Sequence, residues 1–409
     1  MEHYINNIRS LSGQGNFGQI AEFVSKSSDM LIKNPSQLDA ALETFNVQKH
    51  SIGVLGILCA KYAIGSDSDS LLTASELFFD TCNGEQIRYA TDRFAELCHK
   101  YCQLLISKRA TLRGIAPLSR VISKVQVSPS QLTSVHADLC QLCLISKCFK
   151  PALQFLNADI TEICPEGGSF DAKHFLLYYY YGGMIYASLK NYSRALFFFE
   201  IAVTTQSMAV SHIMIESYKK YLLVGLIQNG KVPTPPKYTS HVVAKYIKPL
   251  CQAYHDLANA YVTSKPDELQ KIITRHTDTY NSDKNMGLVK QCLTTLYRKN
   301  IQRLTKTFLT LSLSDMANRV QLASARDAER HVLHMIEDGE IFASINQKDG
   351  MVKFHDNPER YNNPAMMARL DEQMERCMKL NDKLSSRDQE MTVNPVFVQK
   401  SLKNQDPDV

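Results

Sequence analysis

The chain has 409 residues, of which 44% are hydrophobic and 21% are charged, a composition typical of folded globular proteins. The formal net charge is only +5, and acidic and basic residues are interspersed, which argues against a protein dedicated to nucleic acid or to membrane surfaces. No stretch is long and apolar enough to predict a membrane span. The length predicts two or three domains of ordinary size.

The eleven cysteines are interpreted as reduced thiols. The first residues, Met1 to Tyr4, lack the basic and then apolar pattern of a secretory signal, so we expect the protein in the cytoplasm and the nucleus, where thiols stay reduced. Cys140 and Cys143 form a Cys-x-x-Cys pair, but a structural zinc site needs four converging ligands and no second such pair follows. We therefore interpret the cysteines as small buried side chains and expect no metal and no cofactor.

Almost every segment before Leu309 is predicted to be helical. Apolar residues recur at spacings of three and four over segments of about twelve to twenty residues. Short polar or glycine-containing breaks separate these segments, at Asn34-Pro35, Gly65–Ser70, Ser128-Pro129, Pro165–Ser169 and Asn229–Pro236. Successive helices of this length predict stacked helical pairs, that is, an α-solenoid.

One helical pair carries the pattern of a tetratricopeptide-type repeat. Small and aromatic residues occupy the signature offsets, at Tyr179, Gly183, Tyr186, Ala195, Phe199 and Ala202. The small residues let two helices approach closely, and the aromatic rings fill the space around them. The run Tyr178–Tyr181 points around the whole helix, so we interpret it as core packing, with an aromatic ligand box as the alternative. A weaker pair is predicted at Leu132–Lys147 and Pro151–Leu156.

Residues 309–355 are predicted to form a winged helix. Two Ser-x-x-Asp capping boxes, beginning at Ser312 and Ser324, open a short and a longer helix, because a serine side chain can accept a hydrogen bond from a free N–H of the first turn. Gly339 supplies the left-handed residue that ends the second helix. The predicted extended segments are Leu309–Leu311 before the helices and a hairpin of Ile341–Asn346 and Met351–His355 after them.

The charges of this module do not favour nucleic-acid binding. Its second helix carries Arg326 and Arg330 but also four acidic residues, whereas a helix that binds the major groove needs a net basic face. The preceding helix is more basic, with Lys290, Arg298, Lys299, Arg303 and Lys306. We interpret this run as a solvated face or a surface for an acidic protein partner, and nucleic-acid binding stays open as the alternative.

A last helix is predicted from Pro364 to about Met391, with an apolar seam of strict three-four spacing. The seam residues are Met367, Leu370, Met374, Cys377, Asn381, Leu384, Asp388 and Met391. A polar residue such as Asn381 in such a seam can fix the register and the number of helices in a bundle. We favour bundling with helices of other chains; packing against its own chain is the alternative. A polar tail follows Val398.

No sequence motif for catalysis is present. The chain has neither a glycine-rich phosphate loop nor a nucleophile elbow, and it lacks the paired histidines of metalloproteases. His331 and His334 supply at most half of a metal site, so we interpret them as surface or interface residues. We therefore predict that the protein is not an enzyme; a site assembled from distant residues is the remaining alternative.

The order of helical repeats, winged helix and C-terminal helix resembles the PCI family, whose members are subunits of the proteasome lid, the COP9 signalosome and translation initiation factor three. Specific stretches are similar to the signalosome members in particular. These are Thr81–Glu85, Ile87–Asp92, His136–Cys143, Asp171–Tyr186, Met208–Met214, Asn300–Leu311 and His334–Gly339. The similarity covers nearly the whole chain and is weakest after Val398.

The resemblance implies a non-catalytic scaffold in a complex that removes a ubiquitin-like modifier from cullin-RING ubiquitin ligases, with the metal site in another subunit. It also implies that winged helices of neighbouring subunits pair edge to edge and that C-terminal helices join one bundle. The predicted edge residues are Ile341, Ala343, Ile345, Met351, Lys353 and His355. The predicted bundle residues are Met367, Leu370, Met374, Cys377, Asn381, Leu384 and Met391. A nucleic-acid-binding or translation-factor module of the same family is the alternative.

The predicted fold is mainly α: a tetratricopeptide-like helical solenoid, a winged-helix PCI module and a long C-terminal helix. The predicted domains are N-terminal repeats at 1–190, a PCI domain at 191–358 and a C-terminal helix with its tail at 359–409. Within the PCI domain, helical repeats occupy 191–290 and the winged helix 291–358. The expected partners are other subunits of the complex, with cullin-RING ligases contacted indirectly and neither membrane nor nucleic acid bound.

Overall fold

The computed structural model describes residues 1–65, 69–164, 172–206, 209–356 and 363–399. It contains two compact units, Met1–Lys299 and Asn300–Val409. The predicted break at Pro165–Ser169, part of the break at Gly65–Ser70 and the polar tail beyond residue 399 lie outside the described residues. None of the described helices is both long and apolar enough to cross a membrane.

The first unit is built from helices. Those that begin in it are α1 (Glu2–Gly13), α2 (Phe17–Lys26), α3 (Ser28–Ile32), α4 (Leu38–Thr44), α5 (Ser51–Ile64), α6 (Asp69–Thr81), α7 (Gly84–Ile87), α8 (Thr91–Ser107), α9 (Thr111–Val125), α10 (Val135–Ser146), α11 (Lys150–Leu156), α12 (Ala172–Ser188), α13 (Tyr192–Thr204), α14 (His212–Asn229), α15 (Lys248–Leu250), α16 (Gln252–Val262), α17 (Pro266–Arg275), α18 (Thr277–Ser282) and α19 (Met286–Thr305). Their buried apolar side chains form one continuous core from Tyr4 to Leu296. The mainly α, repeat-containing fold predicted from the sequence is confirmed.

Local sequence sets many of the helix ends. The side chains of Asn83, Asn191 and Ser211 accept hydrogen bonds from first-turn N–H groups of α7, α13 and α14, which satisfies donors that a helix start leaves free. Gly65 and Gly230 end α5 and α14 in the left-handed region, where glycine has no Cβ to clash. Gly65 and Gly230 fall at breaks that the sequence predicts.

The predicted repeat pair is the close contact between α12 and α13. All six signature residues are buried, from Tyr179 in α12 to Ala202 in α13. A Cβ built on Gly183 would lie 2.7 Å from Cε1 of Phe199, so only glycine allows the two helices to pack this closely. Tyr178 and Tyr179 pack against Phe198, with ring centroids 6.0 and 5.2 Å away, which confirms the core-packing interpretation of the tyrosine run.

We expect Gly183→Ala to destabilise the first unit by about 1–3 kcal/mol, because the added methyl group overlaps a ring that cannot move away. Gly287→Ala is the matched control: no atom lies within 4 Å of the built Cβ, and alanine is a better helix former by up to about 1 kcal/mol. Urea unfolding of the two variants should shift the midpoint in opposite directions. Equal stability of Gly183→Ala and the parent would contradict the packing described for this pair.

Two short strands depart from the predicted pattern. Gln131–Leu132 (β1) and Glu162–Ile163 (β2) form a parallel pair, so the helix predicted to begin at Leu132 begins instead at Val135, as α10. A π-helical turn at Val243–Ile247 and a 3-10 turn at Pro35–Gln37 interrupt the α-helices elsewhere. The strands are too short to produce a detectable alternation in the sequence.

The second unit contains the strand–helix–helix–hairpin order that the sequence predicts. Its elements are β3 (Thr310–Ser312), α20 (Leu313–Val320), α21 (Ala325–Glu337), β4 (Phe342–Asn346), β5 (Met351–His355) and α22 (Pro364–Val393). Both capping boxes are confirmed: Asp315 N–H donates to Ser312 Oγ at 3.0 Å, and Asp327 N–H donates to Ser324 Oγ at 3.2 Å. Gly339 has a φ of +69°, as a left-handed stop requires.

Candidate assembly interfaces

The three strands of the second unit form one antiparallel sheet in the order β3–β5–β4. The second hairpin strand, β5, is therefore central, and its backbone groups pair on both sides. The prediction that both hairpin strands supply a free edge is wrong for Met351 and Lys353, because the short strand β3 pairs with this part of β5 from the other side. Within the described residues, β3 and β4 are the two edge strands of this sheet, so β4 is the one hairpin strand that lies at an edge.

The hydrogen bonds of β5 show which backbone groups of β4 point outward. Phe354 N–H donates to Leu309 O at 2.9 Å and Leu313 N–H donates to Gly350 O at 2.8 Å, so the even-numbered residues of β5 bond toward β3. Its odd-numbered residues bond toward β4, where they face Phe342, Ser344 and Asn346. Alternation along a strand then directs the N–H and C=O of Ala343 and Ile345 outward.

The side chains of the predicted edge residues fall into three groups. Ile341 is only 5% exposed and precedes β4, so it belongs to the core and its assignment to the edge is a further correction. Ala343 and Ile345 are half-buried. Met351, Lys353 and His355 are exposed on the outer face of the sheet. His355 Nε2 lies 3.0 Å from Ser344 Oγ across the hairpin, a contact that no sequence pattern indicates.

A small core holds this edge strand in place. Ile345 is paired with Val352 and Ala343 with Phe354 across the hairpin, and β3 and α21 both contact α20. The buried side chains of the module are Leu311, Leu313, Met316, Ala317, Val320, Ala328, Val332, Met335, Ile341, Val352 and Phe354. Leu311 and Met316 take the positions of a hydrophobic staple around Ser312. The buried side chains of the module thus hold β4 in place while its outward backbone groups stay at the sheet edge.

The C-terminal helix α22 is 30 residues long and contains no buried residue. It begins where the sequence predicts, with Asn363 Oδ1 accepting from Ala365 N–H at 2.9 Å. Its seam residues are exposed, including Met367 at 69%, Met374 at 63% and Leu384 at 61%. Met378 and Leu380 are equally exposed and flank the seam, although the seam pattern did not include them.

Charged residues occupy the rest of α22. Lys379 Nζ lies 3.2 Å from Glu375 Oε2, and Arg387 Nη1 lies 2.7 Å from Glu390 Oε2. Such exposed pairs one turn apart stabilise a helix by only a few tenths of a kcal/mol. The helix therefore has one apolar stripe and a solvated polar remainder, which is the pattern of a helix that joins a bundle.

Comparison with known proteins covers the whole chain. A family model described as COP9 signalosome complex subunit 3, N-terminal helical repeats, matches residues 14–243, and the PCI domain model matches residues 267–356. COP9 signalosome complex subunit 3 from Drosophila melanogaster is 45% identical over all of this chain and 96% of its own length. The protein of the same name from Arabidopsis thaliana is 37% identical over 98% of this chain and 93% of its own length.

The chain belongs to the COP9 signalosome subunit 3 family. The PCI match ends at residue 356, before α22 begins, so the exposed helix lies outside both matched domains but inside the full-length similarity to the relatives. The domain boundaries predicted at 190 and 358 stay predictions.

Within this family member, the basic run of α19 is partly used by the fold. Lys299 Nζ donates to the free carbonyl of Gly230 at 2.9 Å and lies 5.4 Å from the centroid of the Tyr261 ring, so it caps α14 rather than facing a ligand. Lys290, Arg303 and Lys306 are exposed. Three exposed cations among the five give a weaker electrostatic surface than the sequence run indicated.

The cysteines and histidines of the described chain show no metal site. No group of three or more His, Cys, Asp or Glu side chains in the described residues could hold a metal ion. Cys140 and Cys143 are both buried, and burial raises the pKa of the Cys143 thiol to about 12. Burial therefore favours the neutral thiol, and the two side chains pack as small apolar groups in the core, as interpreted from the sequence.

One cluster of titratable side chains was missed by sequence reasoning. His99 Nδ1 lies 2.5 Å from Asp138 Oδ2, and the ring of His174 stacks on that of His99 with centroids 4.2 Å apart. The three residues come from α8, α10 and α12, so no local spacing could bring them together. Their contacts therefore link the three helices α8, α10 and α12.

The histidine with the clearest pKa shift is His136 in α10. Its side chain is 1% exposed, and burial lowers its pKa to about 4, although a hydrogen bond with the backbone of Thr133 opposes the shift. Thr133 N–H donates to Nδ1 at 3.1 Å, and the ring meets Phe155 and Tyr178 edge to face. These contacts make His136 a packing residue of the core rather than a general base in a cleft.

We expect stability to fall as the pH drops from about 6.5 toward 4, because the unfolded chain protonates His136 before the folded chain does. Between pH 7.5 and pH 5 the loss from this group is about 2 kcal/mol. His136→Gln should flatten that part of the pH dependence, and the exposed His212→Gln should not. Urea midpoints at the two pH values measure the difference. An unchanged pH dependence in His136→Gln would show that another group is responsible.

Proposed function

We propose that this protein is a non-catalytic scaffold subunit of a COP9 signalosome, which supports removal of a ubiquitin-like modifier from cullin-RING ubiquitin ligases. The main support is α22, a 30-residue helix whose apolar seam is exposed. It occurs in a chain that belongs to the signalosome subunit 3 family. An apolar stripe of this length is costly in water and is typical of a surface buried by partners.

The length of α22 supports a bundle rather than a single contact. Thirty residues span about 45 Å at 1.5 Å per residue, and four repeats of three-four spacing run along that length. Met367, Met374 and Leu384 would fill the interior layers of the bundle, with Asn381 and Asp388 setting its register. The helices that pack against it belong to other signalosome subunits in this proposal.

The edge strand β4 supplies the second proposed contact. The outward N–H and C=O groups of Ala343 and Ile345 can accept a strand from the winged helix of a neighbouring subunit. Within the described part of the chain, no strand pairs with this side of β4. The exposed outer-face residues Met351, Lys353 and His355 then flank the joint instead of forming it.

The cleavage step is assigned to another subunit in this proposal. The described residues hold no cluster of metal ligands, and His136, Cys140 and Cys143 are buried in the core of the first unit. Cullin-RING ligases are contacted through the assembled complex, in the cytoplasm and the nucleus.

The enzymatic part of the proposal is tested with a cullin that carries the ubiquitin-like modifier. We expect the purified chain alone to leave this conjugate intact and the assembly purified through a tag on this chain to cleave it. Chelation of metal should stop cleavage by the assembly, because the proposed cleavage site, in another subunit, depends on a metal ion. Cleavage by the purified chain alone would overturn the assignment.

The alternative function is an RNA-binding PCI module that uses the basic run from Lys290 to Lys306, in which Lys290 and Arg303 are exposed on α19 and Lys306 is exposed just after it. Binding that depends on phosphate contacts weakens steeply with salt. Fluorescence anisotropy of a labelled RNA, titrated with the full chain at 50 and 200 mM salt, distinguishes this alternative from the scaffold function. An RNA binder should lose affinity by ~tenfold or more at the higher salt concentration. We expect no saturable binding at either concentration.

A further inference from the structure

The loop after α14 carries a proline-rich segment, Pro233-Thr234-Pro235-Pro236-Lys237-Tyr238. No helix or strand includes residues 232–236. Proline fixes its own φ near −65°, and a residue that precedes proline is pushed out of the helical region. Val232, Thr234 and Pro235 each precede a proline, so residues 232–236 are restricted to extended, polyproline-like conformations, and Lys237 and Tyr238 form a turn directly after them.

The segment presents its second half to solvent. Tyr238 is 64% exposed, although tyrosines of the adjacent core such as Tyr221 and Tyr261 are almost fully buried. Pro235 and Lys237 are exposed as well. Within the described residues, the carbonyl oxygens of Thr234 and Pro235 accept no hydrogen bond. The backbone acceptors and the aromatic ring are therefore available to a partner at once.

The fold anchors the segment at both ends. A Cβ built on Gly225 would lie 2.5 Å from Cδ of Pro233, so the Pro233 ring packs on the bare backbone of α14. At the other end, Gln206 Nε2 donates to Tyr238 O at 2.6 Å. Thr239 N–H donates to Pro236 O at 3.0 Å and closes a turn. A segment held in this way loses little conformational entropy when a partner binds it.

We propose that Pro235-Pro236-Lys237-Tyr238 is a docking segment for a WW domain. Such domains clamp a polyproline segment between aromatic side chains, and one class of them takes the pattern Pro-Pro-x-Tyr, with the tyrosine in a second pocket. The spacing of Pro235, Pro236 and Tyr238 fits that pattern, and both Pro235 and Tyr238 are exposed.

Two observations select this partner over an SH3 domain. An SH3 domain reads a Pro-x-x-Pro pattern, which here is Pro233 to Pro236, and the Pro233 ring is occupied by its contact with Gly225. The segment is also flanked by exposed cations, Lys231 and Lys245, besides Lys237 at the variable position. The matching WW domain therefore carries acidic side chains around its aromatic groove.

The absence of tryptophan from this chain gives a clean assay. A purified WW domain that binds Pro-Pro-x-Tyr peptides is titrated with the full chain, and its tryptophan emission reports binding without interference. We expect a saturable change that an excess of a peptide spanning residues 231–241 reverses. Tyr238→Ala should weaken binding about tenfold or more. The control Tyr246→Ala alters another exposed tyrosine, at 49%, and should bind like the parent.

A second measurement uses the assembled complex. Immobilised WW domain should retain the complex purified through a tag on this chain, and the complex that carries Tyr238→Ala should flow through. Circular dichroism of each variant shows whether it is folded. No response from the full chain, even if the free 231–241 peptide binds, would overturn the proposal, because it would show that the folded loop does not present the motif. Equal binding of Tyr238→Ala, or binding by an SH3 domain in its place, would overturn it as well.

Discussion

Replacing Met374 and Leu384 together by aspartate should release this subunit from its complex while leaving the chain folded. Both side chains are more than 60% exposed in the free chain, so the substitutions remove no contact within it. In the proposed bundle each side chain is buried, and burial of a Met or Leu contributes about 2–3 kcal/mol. Loss of both, with two charges left in an apolar layer, lowers affinity by about a thousandfold or more.

The matched control places the same two charges on the opposite side of the same helix. Ser386→Asp with Gln389→Asp adds two aspartates at exposed positions outside the seam, and it should be incorporated like the parent chain. Incorporation is measured by the amount of the other subunits that co-purifies with a tag on this chain. Full incorporation of Met374→Asp/Leu384→Asp would exclude α22 as the main contact, and loss of the control as well would indicate a general charge effect.

Ala343→Pro should block the edge of β4 without unfolding the module. The N–H of Ala343 points away from β5, so proline removes no hydrogen bond of the sheet and is tolerated at an edge. Its ring and missing donor stop another strand from pairing there. We expect the free energy of unfolding to change by less than about 1 kcal/mol and the co-purified amount of one neighbouring subunit to fall.

Ser344→Pro is the control, because it places proline on the same strand at a residue whose N–H points in the opposite direction. The N–H of Ser344 points toward β5, so proline there removes a bond of the sheet and should destabilise the module by more than about 1 kcal/mol. Ile345→Asp is a less informative variant, because Ile345 is half-buried and paired with the buried Val352. If the Ile345→Asp variant were lost from the complex, the cause could be either unfolding of the module or a blocked strand edge. Normal assembly of folded Ala343→Pro would remove β4 from the proposed interfaces.

Features governed by neighbouring residues could be predicted from the sequence. The capping serines Ser312 and Ser324, the left-handed Gly339 and the start of α22 all depend on contacts within one helical turn. The repeat pair of α12 and α13 was also accessible, because small and aromatic residues at fixed offsets record how two adjacent helices pack. These are the parts of the fold in which local and tertiary preferences agree.

Features that join distant residues could not be predicted. Nothing within the hairpin shows that β3 pairs with β5, so its pattern predicts an edge for both hairpin strands. The role of Lys299 as a cap for Gly230 joins residues 69 positions apart, and a charge count treats that lysine as a free cation. Likewise, the contact between His99 and His174 depends on how three helices stack.

The central claim is that α22 holds this subunit in a larger assembly, and a native mass spectrum tests it most directly. The tagged chain is purified gently from cells, as the parent and as Met374→Asp/Leu384→Asp. The account predicts a discrete assembly of several signalosome subunits for the parent and a free chain of 46.3 kDa for the variant. A parent that remains a free chain, or one that is bound to RNA alone, would contradict the account.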